Sequence, residues 1–205
     1  METRKIIRNK LLVILAGVLL NLGFYEAAHL LHLPMWLDSI GTAYAAVTLE
    51  PAAGLLAAFA TNFYQAAVIY DSSSIVYYVV SAAAALSFGI LLRKNGKISW
   101  KRLPQAMGAY LVSATLLSGL LTLWRKAGVP DSGWERTFYE MAMGWGAPQQ
   151  LGCFFGAFML KISDTLVIAA ILPLLYRVTP ASVRTKKLEE PVSWKNPYWS
   201  VKSTK

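Results

Sequence analysis

LPMWLDSIGTAYAAVTLEPAAGLLAAFATN, residues 33–62, decides how the rest of this chain is read. It opens on a turn holding Trp36 and Asp38 and continues through the apolar segment 40–49. After Glu50-Pro51 it restarts with small residues: Ala52, Ala53, Gly54, Ala57, Ala58 and Ala60. Proline suits the first turn of a helix, where its missing N–H is no loss, so Pro51 reads as a helix start. Small side chains let helices in a membrane approach closely. The stretch therefore predicts a loop, a hairpin of two helices and a close-packed wall beneath them.

Composition places that hairpin in a bilayer. The 205 residues are 56% hydrophobic and 15% charged, with a mean hydropathy of +0.43. A soluble domain carries about 25% charged residues. The net charge of +9 is not read as a nucleic-acid footprint, because the basic residues lie between and beyond apolar segments. They read as topology signals and lipid headgroup contacts. The single cysteine, Cys153, excludes an internal disulfide and a thiolate metal cluster. Arg4, Lys5, Arg8 and Lys10 precede the apolar run 11–20 as they would in a secretory signal. The apolar character continues to Leu33 without a small-residue cleavage site, so a retained helix is expected.

Working outward, the pattern predicts an all-α membrane protein with six spans, at about 10–31, 40–49, 51–69, 75–92, 104–124 and 158–176. Residues 1–177 form the membrane domain and 178–205 a basic, polar tail. Pro173 is expected to bend the last span, and Lys161 and Asp164 to sit in its first turns. Residues 125–155 suit a structured loop or a short amphipathic helix on the membrane surface. Six spans put both termini on one side. Of the 20 basic residues, all but Arg125, Lys126, Arg136 and Lys161 fall on that side. The positive-inside rule then makes it the cytoplasm of a multi-pass cell-membrane protein. The loops after spans one, three and five face out and are the richest in Trp, Tyr, Asp and Glu. That asymmetry suggests an outward pocket with aromatic walls and a few polar contacts.

The pattern PMWLDSIGT (34–42), a short helix and then EPAAGLLAAFATN (50–62) resembles the substrate-binding S components of energy-coupling factor vitamin transporters. This branch is related to vitamin-uptake-like sensor domains. KISDTLV (161–167), with an acidic residue opening the last span, is similar to the same family. The resemblance covers roughly residues 21–177. It implies a six-helix bundle with both ends inside and a small pocket near the outer face, closed by the loops after helices one, three and five. Its partners would be a membrane scaffold subunit and two cytoplasmic ATPases. The chain has no GxxxxGK[ST] phosphate-binding pattern, so ATP hydrolysis would belong to those partners. The chain itself is expected to be no enzyme and to need no cofactor or metal. The family meets its scaffold through an Ala-x-x-x-Ala face on helix one. Here the candidates are Ala16, Gly17, Gly23 and Ala27, of which only Gly23 and Ala27 stand four apart.

The candidate substrate contacts carry alternatives. Glu26, His29 and His32, spaced i, i+3, i+6, can line a pocket rim, or with Asp38 ligate a divalent metal. An ionisable residue inside a span is costly and calls for a functional hypothesis. Trp36 and Asp38 either close the pocket, ring face and carboxylate together, or serve as an interfacial anchor and the cap of helix two. Asn62 and Gln65 either meet substrate or join helices. Tyr70 and Tyr77 line the pocket or belong to an aromatic belt. Trp134, Tyr139, Trp145 and Gln149 form a lid or rest on the membrane surface. Asp164 meets ligand or pairs with Lys161, its i−3 neighbour. Two other functions were weighed: a ligand sensor acting through an output partner, and an intramembrane metal-dependent enzyme. No HExxH or GxSxG motif supports the enzyme.

Overall fold

Five helical segments are long and apolar enough to cross a membrane: Ile7–Leu30, Pro51–Ile69, Ser72–Leu91, Trp100–Arg125 and Gln149–Val178. They belong to a computed structural model that describes residues 2–94, 97–130 and 133–184. The helices are α1 (Glu2–Leu30), α2 (Ile40–Thr48), α3 (Pro51–Tyr64), α4 (Tyr78–Leu91), α5 (Leu103–Arg125), α6 (Gly133–Gly144) and α7 (Gln149–Val178). A π-helical turn, Gln65–Ile69, extends α3, and a 3-10 turn, Ser72–Tyr77, leads into α4. Arg93–Lys94 and Lys97–Ile98 pair as a minimal antiparallel ladder between α4 and α5.

The bundle is apolar outside and buries polar side chains within an apolar core. Leu11, Leu15 and Leu19 on α1, Leu56 and Phe63 on α3, Val112, Leu116 and Leu120 on α5, and Leu166 and Leu174 on α7 are exposed. Asn21, Thr42, Thr61, Asn62, Lys161 and Asp164 are buried. Water does not tolerate so extensive an apolar surface; lipid does. The fold is thus an all-α, multi-span membrane bundle.

The apolar segment 40–49, expected as the second span, is not a span of its own. α2 has nine residues, all buried, and at 1.5 Å per residue it reaches about 14 Å, against a hydrocarbon core of roughly 30 Å. It packs against α1, α3, α4 and α7 and forms the centre of the bundle. Such a helix has orphan N–H and C=O groups at both ends and no water to satisfy them. Other helices supply the partners. The Asn21 oxygen accepts from Gly41 N at 2.6 Å and Thr42 N at 3.1 Å. Its amide nitrogen donates to Thr42 Oγ1 at 2.9 Å and Thr61 Oγ1 at 3.0 Å. At the other end, Arg93 Nη2 donates to the carbonyls of Val47 at 3.1 Å and Leu49 at 2.5 Å. The cap expected from Asp38 is absent, since Ser39 holds the N-cap position and makes no side-chain cap bond.

Contacts fix the chain's course. Lys10 Nζ pairs with Glu50 Oε1 at 3.0 Å, joining the start of α1 to the start of α3. The Tyr25 and Tyr70 hydroxyls bond at the opposite end. Between them, residues 31–39 descend as irregular backbone beside α1, and α2 completes the return. α4 comes back to the Lys10 end, where Arg93 reaches α2, and α5 rises to where Arg125 meets Asp71. α7 descends until Tyr176 packs on Trp100.

One expected boundary is corrected. The last helix starts at Gln149, after Pro148 in extended conformation, rather than near 158. Lys161 and Asp164 consequently lie in mid-helix. The polar pair Gln149-Gln150 hid this first turn, which Gly152 and Gly156 adapt to α6. A Cβ on Gly156 would sit 2.6 Å from the Glu135 carbonyl oxygen. Within 125–155 the helix is α6, lying along α7. Of the expected polar tail, residues 185–205 lie outside the described residues.

Candidate functional site

A cavity of about 220 Å³ opens at the Tyr70 end of the bundle. Most of the elements that reach this end contribute to it, α1 excepted. The descending coil supplies Trp36 and Asp38, α3 and its π turn Asn62 and Gln65, and the following turn Tyr70, Asp71, Ser74 and Tyr77. Val80 and Ser81 come from α4, Ser118, Thr122 and Arg125 from α5, Lys126 and Pro130 from the next connection, Glu135 from α6 and Lys161 from α7.

The inner wall is set by a buried ion pair. Lys161 Nζ lies 3.0 Å from Asp164 Oδ2, one turn apart on α7. The other Asp164 oxygen accepts from Trp36 N at 2.8 Å and Leu37 N at 3.1 Å. Asp164 thereby holds the descending coil against α7 and sets Trp36 at the cavity. Leu37 takes a φ of +56°, a backbone conformation that a branched side chain rarely adopts. The two N–H bonds to Asp164 hold it there.

The mouth is polar. Arg125 reaches Asp71 at 3.3 Å, bonds the Ser73 hydroxyl and lies over the Tyr77 ring at 5.5 Å. Asp71 also accepts from Ser73 N at 2.9 Å, which starts the 3-10 turn. The Ser73 bonds hold the Asp71 carboxyl below its ordinary value. Burial pushes the Tyr70 phenol well above its own, so it remains a protonated hydroxyl.

Asn62 and Gln65 part company. The Asn62 amide nitrogen joins α3 to α4 by donating to Ser81 Oγ, and also bonds the Ala58 carbonyl, both at 2.9 Å. The Gln65 side chain, buried and lining the cavity, makes no hydrogen bond among the described residues.

Of the sequence-derived candidates, the structure brings Trp36, Asp38, Asn62, Gln65, Tyr70 and Tyr77 to the cavity, with Asp164 directly behind Lys161. The others lie elsewhere. Glu26 and His29 are exposed on α1, as is His32 beyond it. No group of three or more His, Cys, Asp or Glu among the described residues is placed to hold a metal ion. Trp134 donates from Nε1 to the His32 carbonyl at 2.9 Å, tying α6 to the end of α1. Tyr139 is buried between α6 and Gly152 of α7. Trp145 packs on Phe155, and Gln149 Nε2 donates to the Ala127 carbonyl at 2.7 Å. Of the four scaffold candidates, Gly17 is spent inside the fold, facing the Gly41 carbonyl of α2, Ala16 is half-buried against the core, and Gly23 and Ala27 are exposed.

The residues missed are mainly the hydroxyls and charges of α5 and α6. Ser118 and Thr122 stand four apart on α5, which is one face at helical spacing. That signal was legible. Glu135 reaches the cavity only because α6 folds back along α7, which no local pattern specifies.

Fold and cavity together define a multi-span helical membrane bundle with a polar pocket at one end. Comparison with family models, curated proteins and solved structures returned no match.

Proposed function

We propose that this chain is the membrane-embedded binding subunit of an uptake system for a small, vitamin-like molecule, of the energy-coupling factor S-component kind. The observation that carries this reading is the pocket. It is small, sits at one end of an apolar bundle, has Trp36, Tyr70 and Tyr77 as aromatic lining, and is walled by groups from α3, α4, α5, α6, α7 and the connections at that end. Ligand sites in helical membrane proteins take this form, a concave pocket with few, fixed polar groups.

In this reading the descending coil and α2 together make the second of six passages. Lys10, Arg93, Arg102, Arg177 and Arg184 then mark the cytoplasmic end by the positive-inside rule, and the pocket faces outward. Gly23 and Ala27 are the small residues left on α1 for a scaffold subunit. Separate ATPases supply the energy.

Native mass spectrometry of protein gently purified from its own host tests this. The expected result is one small metabolite per chain together with scaffold and ATPase subunits. A chain carrying neither, but bound to a kinase or other output protein, would replace transport with sensing.

A further inference from the structure

Gln65 is 5% exposed, lines the cavity and has no hydrogen-bond partner among the described residues. A carboxamide that lines a cavity without a protein partner offers one donor and one acceptor side by side to whatever enters. An uncharged group that meets both at once is another amide edge, with N–H and C=O adjacent on one ring. Asn62, one turn earlier, spends its amide nitrogen on Ala58 and Ser81 and leaves its carbonyl oxygen without a donor. Gln65 also opens the π-helical turn Gln65–Ile69, and π turns within helices are frequent at functional sites.

Charge argues against an ionic ligand. Three acidic side chains, Asp38, Asp71 and Glu135, and three basic ones, Arg125, Lys126 and Lys161, line the cavity and balance, with Lys161 paired to Asp164 at 3.0 Å and Arg125 to Asp71 at 3.3 Å. The rings of Trp36, Tyr70 and Tyr77 offer apolar faces to a flat molecule. We propose that the pocket takes an uncharged, planar nitrogen heterocycle with a lactam-type edge. Gln65 reads that edge through a pair of N–H···O hydrogen bonds, and the Asn62 oxygen accepts a further N–H. The inference rests on the small-molecule reading above and narrows it to a substrate class.

Calorimetric titration of the full chain in detergent tests it with uracil, 2-pyridone and hypoxanthine, against 1,3-dimethyluracil and N-methyl-2-pyridone, whose N–H is blocked. At least one lactam should fill one site per chain. Its N-methyl counterpart should bind at least roughly tenfold more weakly, because a site built to hydrogen-bond an N–H rejects the analogue lacking it. Gln65→Leu should weaken the lactam by a similar factor while the unliganded melting temperature stays within about 2 °C. If that variant does not fold, Gln65→Met keeps the length, removes both donor and acceptor, and should show the same loss. Equal binding of the methylated probes, unchanged affinity in the folded variant, or no lactam bound would each overturn the proposal. A charged or edge-less metabolite found one per chain by native mass spectrometry would overturn the lactam edge and leave the binding subunit standing. No bound molecule in either experiment removes both.

Discussion

Asp164 shows how one side chain sets the geometry of a pocket it does not line. One oxygen takes the Lys161 ammonium, and the other takes the Trp36 and Leu37 amides. Removing one partner of a buried pair strands the other charge, which costs about 3–5 kcal/mol. Asp164→Ala should therefore unfold at a markedly lower temperature in detergent, read by intrinsic tryptophan fluorescence. Lys161→Met combined with Asp164→Ala should lose less than the sum of the single changes, because no charge is then stranded. Additive losses would show that the two side chains are not coupled. Asp164→Asn keeps one oxygen for the coil amides and should fall between. The pairing of Lys161 with Asp164 was legible as an i, i+3 neighbour relation. The amides that share Asp164 were not, since Trp36 and Leu37 lie more than 120 residues away in sequence and nothing local marks them.

α2 is the element on which the bundle is assembled, and its stability comes from elsewhere in the chain. Nine residues make a marginal helix in isolation. Here Asn21 of α1 closes its first turn, Arg93 closes its last, and α1 touches it at Gly17 and Gly41. A Cβ on Gly41 would lie 1.8 Å from the Gly17 carbonyl oxygen. Gly41→Ala should accordingly abolish folded protein, judged by a monodisperse peak in size-exclusion chromatography, whereas Gly23→Ala, with nothing within 4 Å, should be neutral. A folded Gly41→Ala would mean that the two helices do not cross so closely. Asn21→Leu leaves two buried amides unsatisfied, and each buried orphan costs about 1–3 kcal/mol. Asn21→Asp keeps the acceptor and should recover part of the loss. The apolar segment 40–49 and the helix start at Pro51 were both readable from residue types. That α2 lies inside the bundle was not, because a helix that is apolar all round looks the same whether lipid or protein surrounds it. Its capping groups stand 20 and 44 residues away from their partners.

At the scale of the molecule, the two ends differ in chemistry. One gathers Lys10, Arg93, Trp100, Arg102 and Arg184 around the starts of α1, α3 and α5. The other holds the pocket, Tyr70, Asp71, Arg125 and the α6 flap. The coil 31–39 with α2 returns the chain to the Lys10 end, although α2 is too short to do so alone. Cysteine labelling tests the orientation directly, because the sole native thiol, Cys153, is buried and donates to the Gly119 carbonyl. Thr137→Cys on α6 should react with a membrane-impermeant maleimide in intact cells. Lys97→Cys in the hairpin before α5 should react only after permeabilisation. The reverse pattern would turn the pocket toward the cytoplasm and end the uptake proposal. Labelling of both sites in intact cells would mean that α5 does not separate α6 from the hairpin across the bilayer. If the expected pattern holds, the pocket opens to the outside, where an uptake subunit must first meet its substrate.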